Sequence, residues 1–214
     1  MEKLDGENLN LLMPSLTAGQ KSGIMFQLGE FNKQINSIVR DKFGCLVQPN
    51  NQSDSWKTVF LNLISDILND GKDAAVSLPV SYTEIEGIVK ANAHACDDVT
   101  TPALIHWDLW KGNILVCGEQ ISGIIDFERA LYADYLMEHS FRGKANNDFC
   151  TGYGVDVTTL DANAKIRLKL YDLYLALIWV IECYYRDYDR ARIEKREENL
   201  VEKCNAFAKM EGYF

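Results

Sequence analysis

The stretch Ile105-His106-Trp107-Asp108-Leu109-Trp110-Lys111-Gly112-Asn113, followed by Ile124-Ile125-Asp126-Phe127-Glu128, sets a polar cluster inside apolar surroundings. Ala103-Leu104-Ile105 precedes it. Ile114-Leu115-Val116-Cys117, the polar Gly118-Glu119-Gln120 and the run from Ile121 to Ile125 follow it. Apolar runs broken by turn residues predict strand, polar loop, strand, tight turn, strand. A hairpin of this kind carries Asn113 at its entrance and Asp126 at its exit. Antiparallel pairing returns both to the end where the loop holds Asp108. Three oxygen-bearing side chains then converge at one mouth.

That convergence suits phosphoryl transfer. A hydroxyl nucleophile needs a carboxylate to orient it and take its proton, and the phosphates need a hard divalent cation held by oxygen ligands. Asp108 fits the base, and Asn113 and Asp126 fit the metal ligands. Taken singly, each has a structural reading: Asp108 and Asn113 as loop caps, Asp126 as a strand end. The combination at hairpin spacing carries the signal. His106 reads as a packed, hydrogen-bonded brace for the loop rather than a proton shuttle, Trp107 and Trp110 as packing, and Lys111 as either a phosphate contact or a solvated lysine.

The pattern His-x-Asp-x-x-x-x-Asn, then a hairpin, then Ile-Asp-Phe-Glu resembles the kinase-like phosphotransferases, the group of aminoglycoside phosphotransferases, choline kinases and fructosamine kinases. Protein kinases place a lysine two residues after the catalytic aspartate; here that position is Trp110. The small-molecule branch is therefore favoured. The resemblance implies ATP-dependent phosphorylation of a hydroxyl on a small, cationic molecule, with ATP and Mg²⁺ as cofactors. It implies Asp108 with His106 at the catalytic centre, Asn113 and Asp126 on the metal, Glu128 as a supporting or second-metal carboxylate, and Asp134 as support for the catalytic loop. Family members have Gly-Asp-Pro where this chain has Ala133-Asp134-Tyr135, and a helix N-cap explains Asp134 equally well.

Met1-Glu2-Lys3-Leu4-Asp5-Gly6 resembles the Met-Glu-x-Leu-x-Gly hinge of the same group, where backbone groups hold the adenine; by position these belong to Glu2 and Leu4. No glycine-rich phosphate loop and no strand lysine with a helix glutamate are seen. The expected fold is mainly α with a small β-hairpin region, an α+β arrangement matching the C-terminal lobe of a protein-kinase-like fold, with the N-terminal lobe absent. Residues 1–10 are then a hinge remnant and 11–214 the helical catalytic lobe. Such a chain is expected to be weakly active alone and to self-associate through its exposed inter-lobe face. The rival reading is a truncated, non-catalytic relative that binds a small molecule or a protein.

Composition sets outer bounds. The formal net charge of −9 disfavours nucleic acid as a partner, which wants a basic patch, and suits a cationic substrate. The 6 cysteines form no C-x-x-C pair, and with 3 histidines a zinc site is not expected. Reduced thiols, no apolar leader after Met1 and no apolar run long enough to span a bilayer point to a cytoplasmic protein without membrane contact.

Helices are expected around this core. Thr17-Ala18-Gly19-Gln20 is a capping box, after which Ile24, Leu28, Phe31, Ile35 and Ile38 mark one face. A second helix runs from near Asp54 to Asn69, closed by Asp70-Gly71. Ser81-Tyr82-Thr83-Glu84 opens a third that reaches His94. Gly143 to Gly154 reads as a loop. Asp161 introduces a buried helix from Ile166 to Tyr185, and Asp187 to Phe214 reads as a charged surface helix with Leu200, Val201, Ala206 and Phe207 inward.

Overall fold

The structure is a computed structural model that describes residues 4–45, 47–48, 51–142, 147–186 and 188–208. In chain order its elements are β1 (Glu7–Asn8), α1 (Leu9–Leu12), α2 (Ala18–Asn36), β2 (Gly44–Cys45), α3 (Trp56–Asp73), α4 (Tyr82–Asn92), β3 (Ala103–Ile105), β4 (Ile114–Cys117), β5 (Gln120–Ile124), β6 (Leu131–Ala133), α5 (Asn147–Tyr153), α6 (Ala162–Tyr185) and α7 (Arg190–Ala208). The chain is thus mainly helical with small antiparallel sheets. It divides into two compact units, Met1–Asp54 with Thr101–Leu160, and Ser55–Thr100 with Asp161–Phe214.

The first unit holds both sheets, ordered β1-β4-β5 and β2-β6-β3. The β4–β5 hairpin turns at Gly118, whose φ of 64 is one that a glycine adopts without strain. Gln27 on α2 fastens this hairpin, its Nε2 donating to the Glu119 carbonyl at 2.8 Å and its Oε1 accepting from Ile121 N–H at 3.0 Å. The Thr17 capping box forms as expected, with Gln20 as its reciprocal partner.

The face of α2 differs from the apolar spacing. Ile24 and Leu28 are buried, but Phe31 and Ile38 are exposed, and Asn32 and Asn36 lie inside instead. The reason is polar. Asn36 Nδ2 donates to the carbonyl of Leu104 in β3 at 2.7 Å, and Asn32 Nδ2 donates to Asn36 Oδ1. A buried amide keeps its place when it is hydrogen-bonded.

A second correction concerns Gly143 to Gly154. Among the described residues of that stretch, Asn147–Tyr153 is a helix, α5. It packs on α2 at two glycines. A Cβ on Gly29 would lie 2.1 Å from the Phe149 carbonyl oxygen, and one on Gly152 would lie 2.0 Å from that of Phe26. Backbones this close leave no room for a side chain. Phe149 and Tyr153 then bury their rings beside Phe141, edge-on at 5.1 and 4.8 Å.

The second unit is helical. Its α3 runs past the expected stop at Asp70-Gly71 to Asp73, and the buried Gly71 lets Tyr82 approach so closely that a Cβ there would meet its Oη at 2.7 Å. Ser81 caps α4 by accepting from Glu84 N–H, and Asp161 caps α6 by accepting from Ala164 N–H. The apolar girth of α6 is explained by its burial, with Leu170, Leu173, Leu177 and Val180 each fully enclosed. Trp56 of α3 donates its indole N–H to Tyr171 Oη at 2.7 Å, so both buried aromatics keep a polar partner. On α7, Leu200, Cys204 and Phe207 face inward, with Val201 and Ala206 half-buried. Among the described residues no helix is long and apolar enough to cross a membrane.

Candidate active site

The site is built on the loop between β3 and β4. His106 follows directly from β3 and is completely buried. Its Nε2 lies 2.9 Å from the Ile125 carbonyl, which can only accept, while the N–H of Asp108 donates toward Nδ1 at 3.3 Å. These partners fix the tautomer with the proton on Nε2 and engage both ring nitrogens. The ring also packs on Phe127, centroids 4.4 Å apart. His106 therefore ties the loop to the residue before Asp126.

Asp108 is half-buried. Asn113 Nδ2 donates to its backbone carbonyl at 2.9 Å and to its Oδ2 at 3.2 Å. Asn113 itself ends a short 3-10 turn, Lys111–Asn113, that leads into β4. Its backbone carbonyl accepts from Ile125 N–H at 3.0 Å, and Ile114 pairs with Ile124 across the hairpin. Antiparallel register thus sets Asn113 and Asp126 at one end. Asp126 is exposed and left-handed, φ 68 and ψ 58, a conformation that aspartate tolerates better than most side chains. Glu128 is exposed in the 3-10 turn that follows.

Trp107 is left-handed as well, with φ 64. For a bulky L-residue this costs roughly 1–2 kcal/mol, so something must hold it. Glu138 does. Its Oε2 accepts the N–H of His106 at 3.0 Å and of Trp107 at 3.2 Å. Glu138 is fully enclosed, and burial pushes its carboxyl above the usual range, opposed by those two N–H groups and by the nearby Arg142. Sequence reading missed this residue; a single acid after Leu136-Met137 gives no periodic signal. Asp134, four residues earlier, is buried and caps the turn Tyr135–Met137 through Leu136 N–H at 3.1 Å.

The segment expected to be a hinge lies along the hairpin. Leu4 packs against Gly123, where a Cβ would come within 2.6 Å of its Cδ1. Glu7 pairs with Val116 and Asn8 with Leu115, and Asn8 Nδ2 donates to the carbonyl of Gly112 in the β3–β4 loop. Glu2 lies outside the described residues. Trp110 is 54% exposed and folds its ring over Gly112, where a Cβ would meet the indole at 2.1 Å.

The arrangement gathers a half-buried carboxylate, an amide tethered to it and an exposed carboxylate across the hairpin. Among the described residues no group of three His, Cys, Asp or Glu side chains forms a metal cage. Asn113 and Asp126, at one end of the hairpin, are the oxygen-bearing side chains that could hold a cation. That suits magnesium, which keeps its waters and relies on substrate phosphates.

The fructosamine kinase family model matches residues 29–195. A probable ketoamine kinase of Staphylococcus aureus is 27% identical over 197 residues, covering 83% of this chain; the chain spans 66% of that protein's length. Among solved structures, a candidate fructosamine-3-kinase from Thermobifida fusca matches with a TM-score of 0.70 at 20% identity, over 98% of this chain and 69% of that one. A thermostable mutant of the aminoglycoside phosphotransferase APH(4)-Ia, solved in ternary complex with AMP-PNP and hygromycin B, matches with a TM-score of 0.68 at 14% identity, over 100% of this chain and 72% of that one. At these identities the two structures speak for the fold.

Proposed function

The chain belongs to the fructosamine kinase family, and from that membership and the site geometry we propose that it phosphorylates a hydroxyl of a ketoamine, a sugar joined to an amine, using ATP. One observation carries the reading: Asn113 donates to the Asp108 carboxylate while its backbone pairs with Ile125, one residue before Asp126. This supports a reading in which base and metal ligands sit at one end of the β4–β5 hairpin.

In this reading Asp108 orients the substrate hydroxyl and accepts its proton as the oxygen bonds to the γ-phosphorus and the bond to ADP breaks. Asn113 holds the carboxylate in place and, with Asp126, would hold magnesium. When bound, that ion neutralises phosphate charge. His106 and Glu138 fix the loop. Residues 1–10 act as the hinge at the adenine, through Glu2 and Leu4, and 11–214 as the helical catalytic lobe. Glu128 and Asp134 support the metal side and the loop. The net charge of −9 favours a cationic substrate. Self-association would draw on exposed apolar side chains such as Leu4, Ile125 and Phe127, between 36% and 44% exposed.

The test joins this chain to the N-terminal lobe of a fructosamine kinase and supplies Mg-ATP with N-fructosyl-glycine. ATP-dependent formation of the sugar phosphate, read by mass spectrometry, is expected. Transfer to an aminoglycoside but to no ketoamine would overturn the substrate assignment.

A further inference from the structure

Two enclosed oxygens of the first unit accept no hydrogen bond: Asn32 Oδ1 and Glu138 Oε1, on residues that are 0% exposed. Such an atom is costly unless a donor reaches it. Strand β3 brings the two to one edge. Its Ala103 and Ile105 lie opposite Ala133 and Leu131 of β6. Leu104 turns the other way, its N–H donating to the Ile38 carbonyl at 2.8 Å and its carbonyl accepting from Asn36 Nδ2 at 2.7 Å. Backbone groups alternate between the two edges of a strand, so the His106 N–H, two residues on, points to the α2 side as well. Its acceptor there is Glu138 Oε2 at 3.0 Å. The chain after α2 runs antiparallel to β3, since Arg40 N–H donates to the Pro102 carbonyl while Ile38 accepts from Leu104. Moving back from Ile38 into α2 therefore moves toward His106. Asn32 lies one turn before Asn36 on the same helix face, at the end of β3 that Glu138 occupies.

The hydrogen bonds fix which atom Asn32 presents. The Leu104 carbonyl takes Asn36 Nδ2, which leaves Asn36 Oδ1 to accept from Asn32 Nδ2 at 3.2 Å. Asn32 Oδ1 is then an acceptor in need of a donor. Glu138 Oε2 already accepts from the N–H groups of His106 and Trp107, so a proton on this carboxyl sits on Oε1. Burial favours that proton; His106 and Arg142, the titratable and charged groups that bear on the carboxyl, oppose it along with the two N–H groups.

We propose that Asn32 is a positioning residue of the loop that carries Asp108: its Oδ1 accepts a hydrogen bond from the protonated Oε1 of Glu138. The link closes a relay from the Leu104 carbonyl through Asn36, Asn32 and Glu138 to the N–H groups of His106 and the left-handed Trp107. Ionisation of Glu138 sets two acceptor oxygens face to face and loosens the loop from α2. The consequence for the reaction rests on Asp108 being the base; the link itself does not.

The experiment measures urea unfolding of the whole chain from mildly acid to neutral pH, without ATP or substrate, so its result is separate from whether Asp108 catalyses. Asn32→Leu, close in volume, strands the Glu138 proton and should lower the folding constant roughly tenfold or more in acid. The loss should shrink as pH rises and Glu138 ionises. In the Glu138→Gln background the amide donates to Asn32 at every pH, so the same substitution should cost the same throughout. A merely structural asparagine gives no such difference between backgrounds. A second reading needs no change at Asn32: by NMR, its carboxamide carbon should shift in step with the Glu138 carboxyl carbon, and stay still with pH in Glu138→Gln. An Asn32→Leu cost independent of pH in the parent background would overturn the link. So would a Glu138 carboxyl already ionised in mild acid, or an Asn32 carboxamide that ignores its titration.

Discussion

His106 donates from Nε2 to the carbonyl of Ile125 at 2.9 Å, one residue before Asp126. Through this bond a fully buried ring joins the loop of Asp108 to the far strand of the hairpin. His106→Ala leaves that carbonyl and the Asp108 N–H without their partner and opens a cavity. We expect a loss of about 2–4 kcal/mol in urea denaturation, combining the cavity and hydrogen-bond costs. A loss below about 0.5 kcal/mol, the range of a surface change, would contradict the bracing role.

Glu138 gives a pH dependence with a definite sign. Burial raises its carboxyl above the ordinary value of 4.5 for an exposed glutamate, so the folded state holds this proton at pH values where the unfolded chain has released it. Stability from this group is complete below that value and falls as pH rises through the higher folded-state pKa. Glu138→Gln cannot ionise and still offers an oxygen to the N–H groups of His106 and Trp107. Its stability relative to the parent should therefore climb as pH increases from 4.5. A difference that stays flat from acid to neutral pH would count against the buried acid.

The crossing of α2 and α5 depends on two absent side chains. Gly29→Ala and Gly152→Ala each place a methyl within 2.1 Å of a carbonyl oxygen, of Phe149 or Phe26. Overpacking of this kind typically costs 1–3 kcal/mol, about 1 at the least. Thermal unfolding should show a clear drop in midpoint for both variants, whereas Gly19→Ala, with nothing within 4 Å, should not. Equal midpoints across the three would refute the close approach.

The β4–β5 hairpin was legible because its strands alternate apolar runs with turn residues, and the return of Asp126 to the end that holds Asn113 follows from pairing alone. The capping box at Thr17 and the N-cap at Ser81 were legible for the same reason: each is a local hydrogen-bond pattern written in consecutive residues. What escaped reading depends on distant partners. Apolar spacing cannot show that Asn32 and Asn36 turn inward, since their burial rests on the Leu104 carbonyl. The glycines near Gly152 read as loop, yet one of them admits the backbone of α2. Glu138 gave no signal, because its partners His106 and Trp107 lie over thirty positions away in the chain.

Asp126 and Asn113 should form a weak cation site that phosphate strengthens. Mn²⁺ added at low concentration should broaden amide resonances around Asp126, more strongly with ATP present, because this metal class leans on substrate phosphates. Asp126→Ala should remove the effect. Broadening that persists in the variant would put the cation elsewhere.

The central claim is that Asp108 takes the substrate's proton in a site whose folding and nucleotide binding do not depend on its charge. Single-turnover rates of the chain joined to a fructosamine kinase N-terminal lobe, measured for parent and Asp108→Asn at saturating Mg-ATP, test it most directly. The account predicts unchanged ATP affinity and unfolding midpoint with turnover reduced about a hundredfold or more, as for loss of a general base. Turnover within a factor of about three of the parent, well inside that loss, would remove Asp108 from the reaction.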